Sequence, residues 1–396
     1  MATYTLTRFT DVHAALCNPD LRQCLYDAGA LVMKDVLLTL HGPAHKARRH
    51  LELKLFRRNY AYAYENEVFP QTLATVLGPL VRDGEADLVD FGYRVTMNLT
   101  ADFAGIDRPS GTPEETAALL AITKTFSEGA TMVHSDRDRQ ELIREVQDAI
   151  EAFRRFLQPS WQRRTGLLAD FRAGRLPEAA LPRDVLTVLL RNQDRVELSE
   201  DIIEREIGFY LQAGSHSTAN SMVHAVHEIL GWTNDLTRLR EDPLLLQRCV
   251  HESLRLHPAS PVAWRTPTRP TRLADGSEAV PGDLVVLDLH LGNRDPSVFG
   301  ADAEAYNPHR TPLQPKAEPY GLTFGAGVHM CTGRDLDGGV SQAADADPDS
   351  HQYGIVTRLV QALLNSGLQP HPAKQPARDT TTTRSTWGYY PVLLSG

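Results

Sequence analysis

Apolar residues along most of this chain recur at steps of three and four, the spacing that lines one face of a helix. The longest unbroken run lies between Ser199 and Leu230, where Ile203, Ile207, Leu211, Gly214, Thr218 and Met222 fall near one face. At about 1.5 Å per residue such a helix spans roughly 45–50 Å, enough to cross a whole domain, so it must be central. Leu142, Val146, Ile150, Phe153 and Leu157 predict a second helix over Gln140–Trp161, and the Gly-, Arg- and Pro-richer stretch Arg163–Pro182 reads as a surface connection. Asp11 reads as the N-cap of a helix reaching Leu16, and Pro43–Phe56 as a basic helix with His45, Lys46, Arg48, Arg49 and Lys54. Asp242-Pro243 joins an N-cap to a proline at the first helical position, and the helix it opens stops before His257-Pro258. Helical spacing returns at Ile355, Val356, Leu359, Val360, Leu363 and Leu364, while Val262–Trp264, Leu284–Leu289 and Tyr389–Leu394 read as short strands. The pattern predicts a mainly α fold with a smaller β region. Without an internal repeat or low-complexity linker, it reads as a single domain over residues 1–396.

Composition narrows the class. A formal charge of -9 over 396 residues disfavours a nucleic-acid partner, which selects basic surfaces. The cysteines Cys17, Cys24, Cys249 and Cys331 form no C-x-x-C pair, so neither a zinc motif nor a disulfide framework is expected, and a reducing cytoplasm is the default setting. The first ten residues lack a basic segment followed by an apolar core, and no run of about twenty apolar residues follows, so no membrane partner is expected.

The chemistry concentrates in Phe324-Gly-Ala-Gly-Val-His-Met-Cys331-Thr-Gly333. Gly325, Gly327 and Gly333 permit close backbone approach, so that main-chain N–H groups can face the sulfur, and a helix starting just after Cys331 adds its positive end. Those are the needs of a thiolate ligand to iron. An arbitrary glycine-rich loop is more often a turn with a buried cysteine. This one, with Phe324, Gly327, His329, Cys331 and Gly333, resembles the signature F-x-x-G-x-(H/R)-x-C-x-G of the heme-thiolate monooxygenases, the cytochrome P450 superfamily. The resemblance implies a triangular-prism fold, with heme b between a long central helix and a cysteine loop containing Phe324, Gly325 and Gly333. Cys331 would then be the metal ligand.

Other segments match in the same order. Glu252-Ser-Leu-Arg255 resembles the family's E-x-x-R helix, and Asn293-Arg-Asp-Pro296 with Arg310 its later stretch, so Glu252, Arg255 and Arg310 are expected to form a structural triad. Alone, a Glu and an Arg three apart are usually a solvated pair. Position in the resemblance nominates His45, Arg49, Arg265 and His329 as partners of the heme propionates. Ala213-Gly214-Ser215-His216-Ser217-Thr218 aligns with (A/G)-G-x-(D/E)-T-(T/S), whose small pair leaves room for oxygen and whose acid and alcohol relay protons. Here His216 replaces the acid and Ser217 the threonine. Ser217 keeps a hydroxyl, and a histidine can carry protons near neutral pH, although on a buried helix it is as readily a satisfied core residue. Ser260, Pro261 and Val262 are the substrate-pocket candidates, with Arg22, Tyr26 and Met33 in the segment before His41.

Two further departures concern the chain's course. An acidic insertion at about 338–353, containing Asp345, Asp347 and Asp349, is expected to interrupt the helix after the cysteine, either as a solvated loop without partner relevance or as a restriction on which electron donor docks, and the N-terminal part reads as shortened relative to the family. The resemblance implies a monooxygenase that places one oxygen atom from O2 into a small organic substrate, a secondary metabolite or xenobiotic. With no flavin or nicotinamide motif, electrons are expected from a separate ferredoxin and ferredoxin reductase. The substitution at position 216 keeps two alternatives open, a peroxide-using or non-hydroxylating enzyme and a non-catalytic heme-binding sensor.

Overall fold

The computed structural model describes residues 1–342, 347–348 and 350–395, with only the backbone of Arg58. Its axis is the helix Glu200–Trp232, whose first turn is capped by Ser199 accepting from the Ile202 N–H. Ile203, Ile207, Leu211, Met222, Val223 and Val226 are buried on several sides of it, because neighbours surround it along its length. Helix Leu88–Ala104 lies against it closely enough that a Cβ on Gly214 would collide with Thr100 Cγ2, and one on Gly92 would stand 2.8 Å from Met222 Cε. Gly214 is therefore required by helix packing before any chemistry is considered.

The second predicted helix is longer than its apolar pattern suggested. It runs Arg139–Arg172 without a break, so Arg163–Arg172 is helix rather than surface connection. The reason is a buried charge: Arg164 sits on the inner stripe between Ser160 and Leu168, and its guanidinium is satisfied by Asp107 and Asp184. Asp11 is likewise inside its helix, Phe9–Cys17, where it accepts from Arg8 Nε at 2.7 Å. The basic helix spans Gly42–Glu52 and tightens into a 3-10 turn over Leu53–Phe56. Asp242 does cap its helix, Pro243–Leu256, by accepting from the Leu245 N–H.

A four-stranded sheet flanks the helices in the order Thr3–Leu6, Leu284–Asp288, Val262–Pro267, Leu21–Gln23; the first pair is parallel and the others antiparallel. The terminal strand anticipated over Tyr389–Leu394 is divided into Trp387–Tyr389 and Pro391–Leu393, in different sheets. At the break, Tyr390 gives its carbonyl to the Leu88 N–H and its own N–H to Asp87.

After the cysteine the helix lasts only from Arg334 to Asp337, and a new one starts at Ile355 and ends at Asn365. The two ends of the intervening segment meet: Val340 N–H donates to Gln352 O at 3.0 Å, and Gln247 Nε2 donates to Val340 O, Gln352 O and Tyr353 O. The buried Glu65 carboxylate accepts from the Tyr353 and Gly354 N–H groups and from Arg358 Nε. Gly354, at φ 84°, is pressed against the backbone of Gly339, where no side chain fits. Asp345 and Asp349 lie outside the described residues. No helix of the described residues is long and apolar enough to cross a membrane.

Candidate active site

The central helix, the basic helix, strand Val262–Pro267 and the cysteine loop enclose a cavity of about 370 Å³. Cys331 is exposed, but to this cavity rather than to bulk water. Its N–H donates to Phe324 O at 2.8 Å, and Gly325 and Gly327 sit at φ 67°, the left-handed region that favours glycine. Burial, with the nearby Asp337 carboxyl adding to it, pushes the Cys331 thiol up to about 11, while the Gly333 N–H, Arg49 and Arg334 pull the other way. The sulfur therefore needs a strong cation to stand as thiolate near neutral pH. A helix of four residues, Arg334–Asp337, adds little dipole to that task.

One wall of the cavity sets two guanidinium groups beside two unsatisfied imidazoles. His45, Arg49, Arg265 and His329 all line it, and the His45 and His329 rings lie 4.2 Å apart. Neither His45 Nε2 nor either ring nitrogen of His329 has a hydrogen-bond partner. Burial and adjacent cations lower His45 to about 4 and His329 to about 3, and burial lowers Arg265 to about 10. Arg265 gives one side-chain hydrogen bond, to Trp264 O, and Arg49 one, to Met330 O. Among the described residues no carboxylate pairs with either. Buried donors left in this state match a ligand that brings its own carboxylates. The sulfur and this wall together fit a metallated dicarboxylate ring.

The family comparison decides the matter. The model of the family described as Cytochrome P450 matches residues 122–336, which include the central helix and the cysteine loop. The chain belongs to the cytochrome P450 family. The P450 cofactor is heme b, whose iron takes a cysteine thiolate. Among curated P450 relatives, a C-19 steroid 1alpha-hydroxylase of Sorangium cellulosum is 24% identical over 317 residues, 79% of this chain and 72% of that one. The cytochrome P450 monooxygenase PikC of Streptomyces venezuelae is 30% identical over 156 residues, 39% of this chain and 36% of that one. In fold, this P450 is similar to CalO2, with TM-score 0.75, 22% identity and coverage of 99% of this chain and 91% of that one. P450BioI in complex with a fatty-acyl carrier protein gives TM-score 0.75 at 18% identity, covering 98% and 92%.

The nominated residues of this P450 divide on inspection. Ala213, Gly214, Ser217 and Thr218 face the cavity, as do Phe324, Gly325 and Gly333. Ser217 Oγ donates to Ala213 O at 2.6 Å, whereas Thr218 Oγ1 donates to Asp337 Oδ1 at 2.5 Å and so ties the central helix to the short helix after the cysteine. Burial raises Asp337 to about 6. His216 does not line the cavity: its Nδ1 pairs with Tyr93 OH at 2.5 Å. Burial, then the Arg384 charge, lowers it to about 3, so it is neutral near pH 7 and is no ready proton carrier there. Glu252 receives Arg255 Nη2 at 2.7 Å and Arg310 Nε at 2.9 Å on the same oxygen, and Arg255 Nη1 reaches Asn293 O and Ala303 O. The three side chains form one buried cluster.

Ser260, Val262 and Tyr26 line the cavity; Pro261, Arg22 and Met33 do not. Pro261 O accepts from the Leu289 and His290 N–H groups, and Arg22 pairs with Asp27 towards the surface. Sequence reasoning missed Gln23, Phe209, Tyr210 and Asp337 in the lining. Tyr210 stands one turn before Ala213 on the same face, so helical spacing contained that signal. Its hydroxyl donates to Glu52 at 2.5 Å, and Glu52, Arg48 and Glu206 make a buried charge cluster beside the cavity.

Proposed function

We propose that this P450 monooxygenase transfers one oxygen atom from dioxygen to a small, largely apolar organic molecule of the secondary-metabolite or xenobiotic kind, with electrons from a separate ferredoxin and ferredoxin reductase. One observation carries the reading: the Cys331 sulfur opens into the same cavity as Ala213, Gly214 and Ser217, beside a wall of two guanidinium groups without carboxylate partners and two unsatisfied imidazoles. Heme b, when bound, supplies the redox-active iron at which dioxygen is reduced. Cys331 holds the iron, and His45, Arg49, Arg265 and His329 hold the propionates. Glu252, Arg255 and Arg310 fix the backbone leading to the cysteine loop. Leu25, Leu37, Phe209, Val262 and Ala263 keep the substrate space dry. Ser217 holds a proton at the edge of that space on Oγ, and water replaces it once given up.

The relatives support the substrate class only broadly, since one is named a steroid hydroxylase and one structural neighbour carries a fatty-acyl group on its carrier protein. Exposed Lys46, Lys54 and Arg57, on and after the basic helix, suit an acidic electron donor. Residues 1–396 act as one domain in this reading, with the segment between Asp337 and Ile355 as an insertion. A second reading, turnover on hydrogen peroxide, draws on His216, which turns from the cavity and leaves the acid position unfilled. Turnover with isotopically labelled dioxygen and a ferredoxin system tests the first: one labelled atom in the product supports it. Product formed only with peroxide, and unlabelled by dioxygen, supports the second.

A further inference from the structure

Gln23 lies at the inner end of the edge strand Leu21–Gln23, where the antiparallel register sets it opposite Arg265. Residues directly opposite in such a pair send their side chains to the same face, with Cβ atoms about 4.5–5.5 Å apart. Both are buried, Gln23 at 3% exposure and Arg265 at 4%, and both line the cavity. Yet the amide and the guanidinium do not bond each other. Gln23 Nε2 and Oε1 have no partner at all, and the one side-chain hydrogen bond from Arg265 goes to its own strand, at Trp264 O. Leu21 and Leu25, two residues to either side, are buried apolar groups, so an amide in this inward position is costly unless a ligand completes it.

The surroundings specify the ligand. Arg49, His45 and His329 share the cavity with the pair, and His45 and His329 also lack partners. Cys24, raised to about 11 by burial, is a neutral thiol. An amide with two free N–H donors, beside a guanidinium without a counterion and sharing the cavity with Arg49 and two unsatisfied imidazoles, is built for a carboxylate.

We propose that Gln23 is a cofactor-holding residue of this chain: its amide donates to the heme propionate that Arg265 pairs, which makes a bidentate grip from two adjacent strands. The assignment rests on the heme reading above. It places Gln23 with the cofactor-holding side of the lining and not with the apolar substrate space.

The experiment uses the holoprotein, with heme bound and its carbon monoxide spectrum recorded first, so that failure to bind heme at all counts against the heme reading and not against Gln23. Heme release to an excess of apomyoglobin is then timed for wild type, for Gln23→Met, which keeps the side-chain volume, and for Gln23→Glu, which sets a carboxylate against the propionate. Loss of one hydrogen bond to a charged group should speed release roughly tenfold in Gln23→Met. Gln23→Glu should release faster still, increasingly so as pH rises above the carboxyl range. Both variants are matched to wild type in heme content by their absorption spectra before release is timed, and each is titrated with substrate. Release from Gln23→Met within about twofold of wild type overturns the assignment, since a charged hydrogen bond is worth more than that. If that unchanged release accompanies a lost substrate-induced spin shift, the amide serves the substrate instead.

Discussion

Ser217 and His216 are neighbours in sequence and opposites in position, and the pair shows how one residue's direction fixes its chemistry. Ser217 faces the cavity with its hydroxyl anchored on Ala213 O, whereas His216 is turned into the packing between the central helix and Tyr93. Ser217→Ala should therefore lower product formed per electron consumed, by an order of tenfold or more if the hydroxyl relays protons. His216→Gln should leave that ratio within about twofold, and its effect should be on stability, by roughly 1–3 kcal/mol if Tyr93 OH loses its acceptor. Measuring product against reductant consumed, together with thermal unfolding, separates the two. Equal loss of coupling in both variants would mean that His216 reaches the cavity after all.

The elements explain what could be foreseen. Helices such as Glu200–Trp232 and Pro243–Leu256 were legible because their sequences carry helical spacing and local caps, although neighbours bury both on several sides. The end of Arg139–Arg172 was not, because Arg164 is buried only by virtue of Asp107 and Asp184, which other segments supply. The place of Gln23 was hidden for a related reason: strand pairing to residue 265 is non-local, and three residues carry no usable alternation. The cysteine loop and the Glu252, Arg255 and Arg310 cluster were found through resemblance, while the cavity they serve came from the fold. That cluster makes an element-scale prediction. Arg255 is fully buried and holds Glu252, Asn293 O and Ala303 O together, so Arg255→Ala should cost about 3–5 kcal/mol by taking one of two guanidinium partners from the buried Glu252 carboxylate and the donor from both carbonyls. Chemical denaturation should show it as a lower midpoint, with heme loss in the same transition. A variant as stable as wild type would contradict the role.

At the scale of the molecule, a helix through the centre brings costs as well as geometry. Glu206, fully buried on it, accepts from the Leu37 N–H and Arg48, while burial raises it to about 7 against a usual 4.5. Glu52, beside the same Arg48, is also raised by burial. A raised carboxyl keeps in the folded state a proton that the unfolded chain has lost. Its stabilising contribution is thus present below 4.5 and fades as pH climbs to about 7. Glu206→Gln should match wild type near the acid end of that window and exceed it above, by up to roughly 1 kcal/mol per pH unit crossed. Unfolding of both proteins across that range checks the sign; a gap that shrinks with rising pH would refute it. The central claim joins the whole arrangement: one sulfur, on a glycine-rich loop, facing a cavity built to hold heme. Its most direct test is the absorption of the reduced, carbon monoxide-treated protein after loading with heme. The long-wavelength Soret band of thiolate ligation should be present in wild type and absent in Cys331→Ala; a band retained in Cys331→Ala, or missing from heme-loaded wild type, would contradict the account.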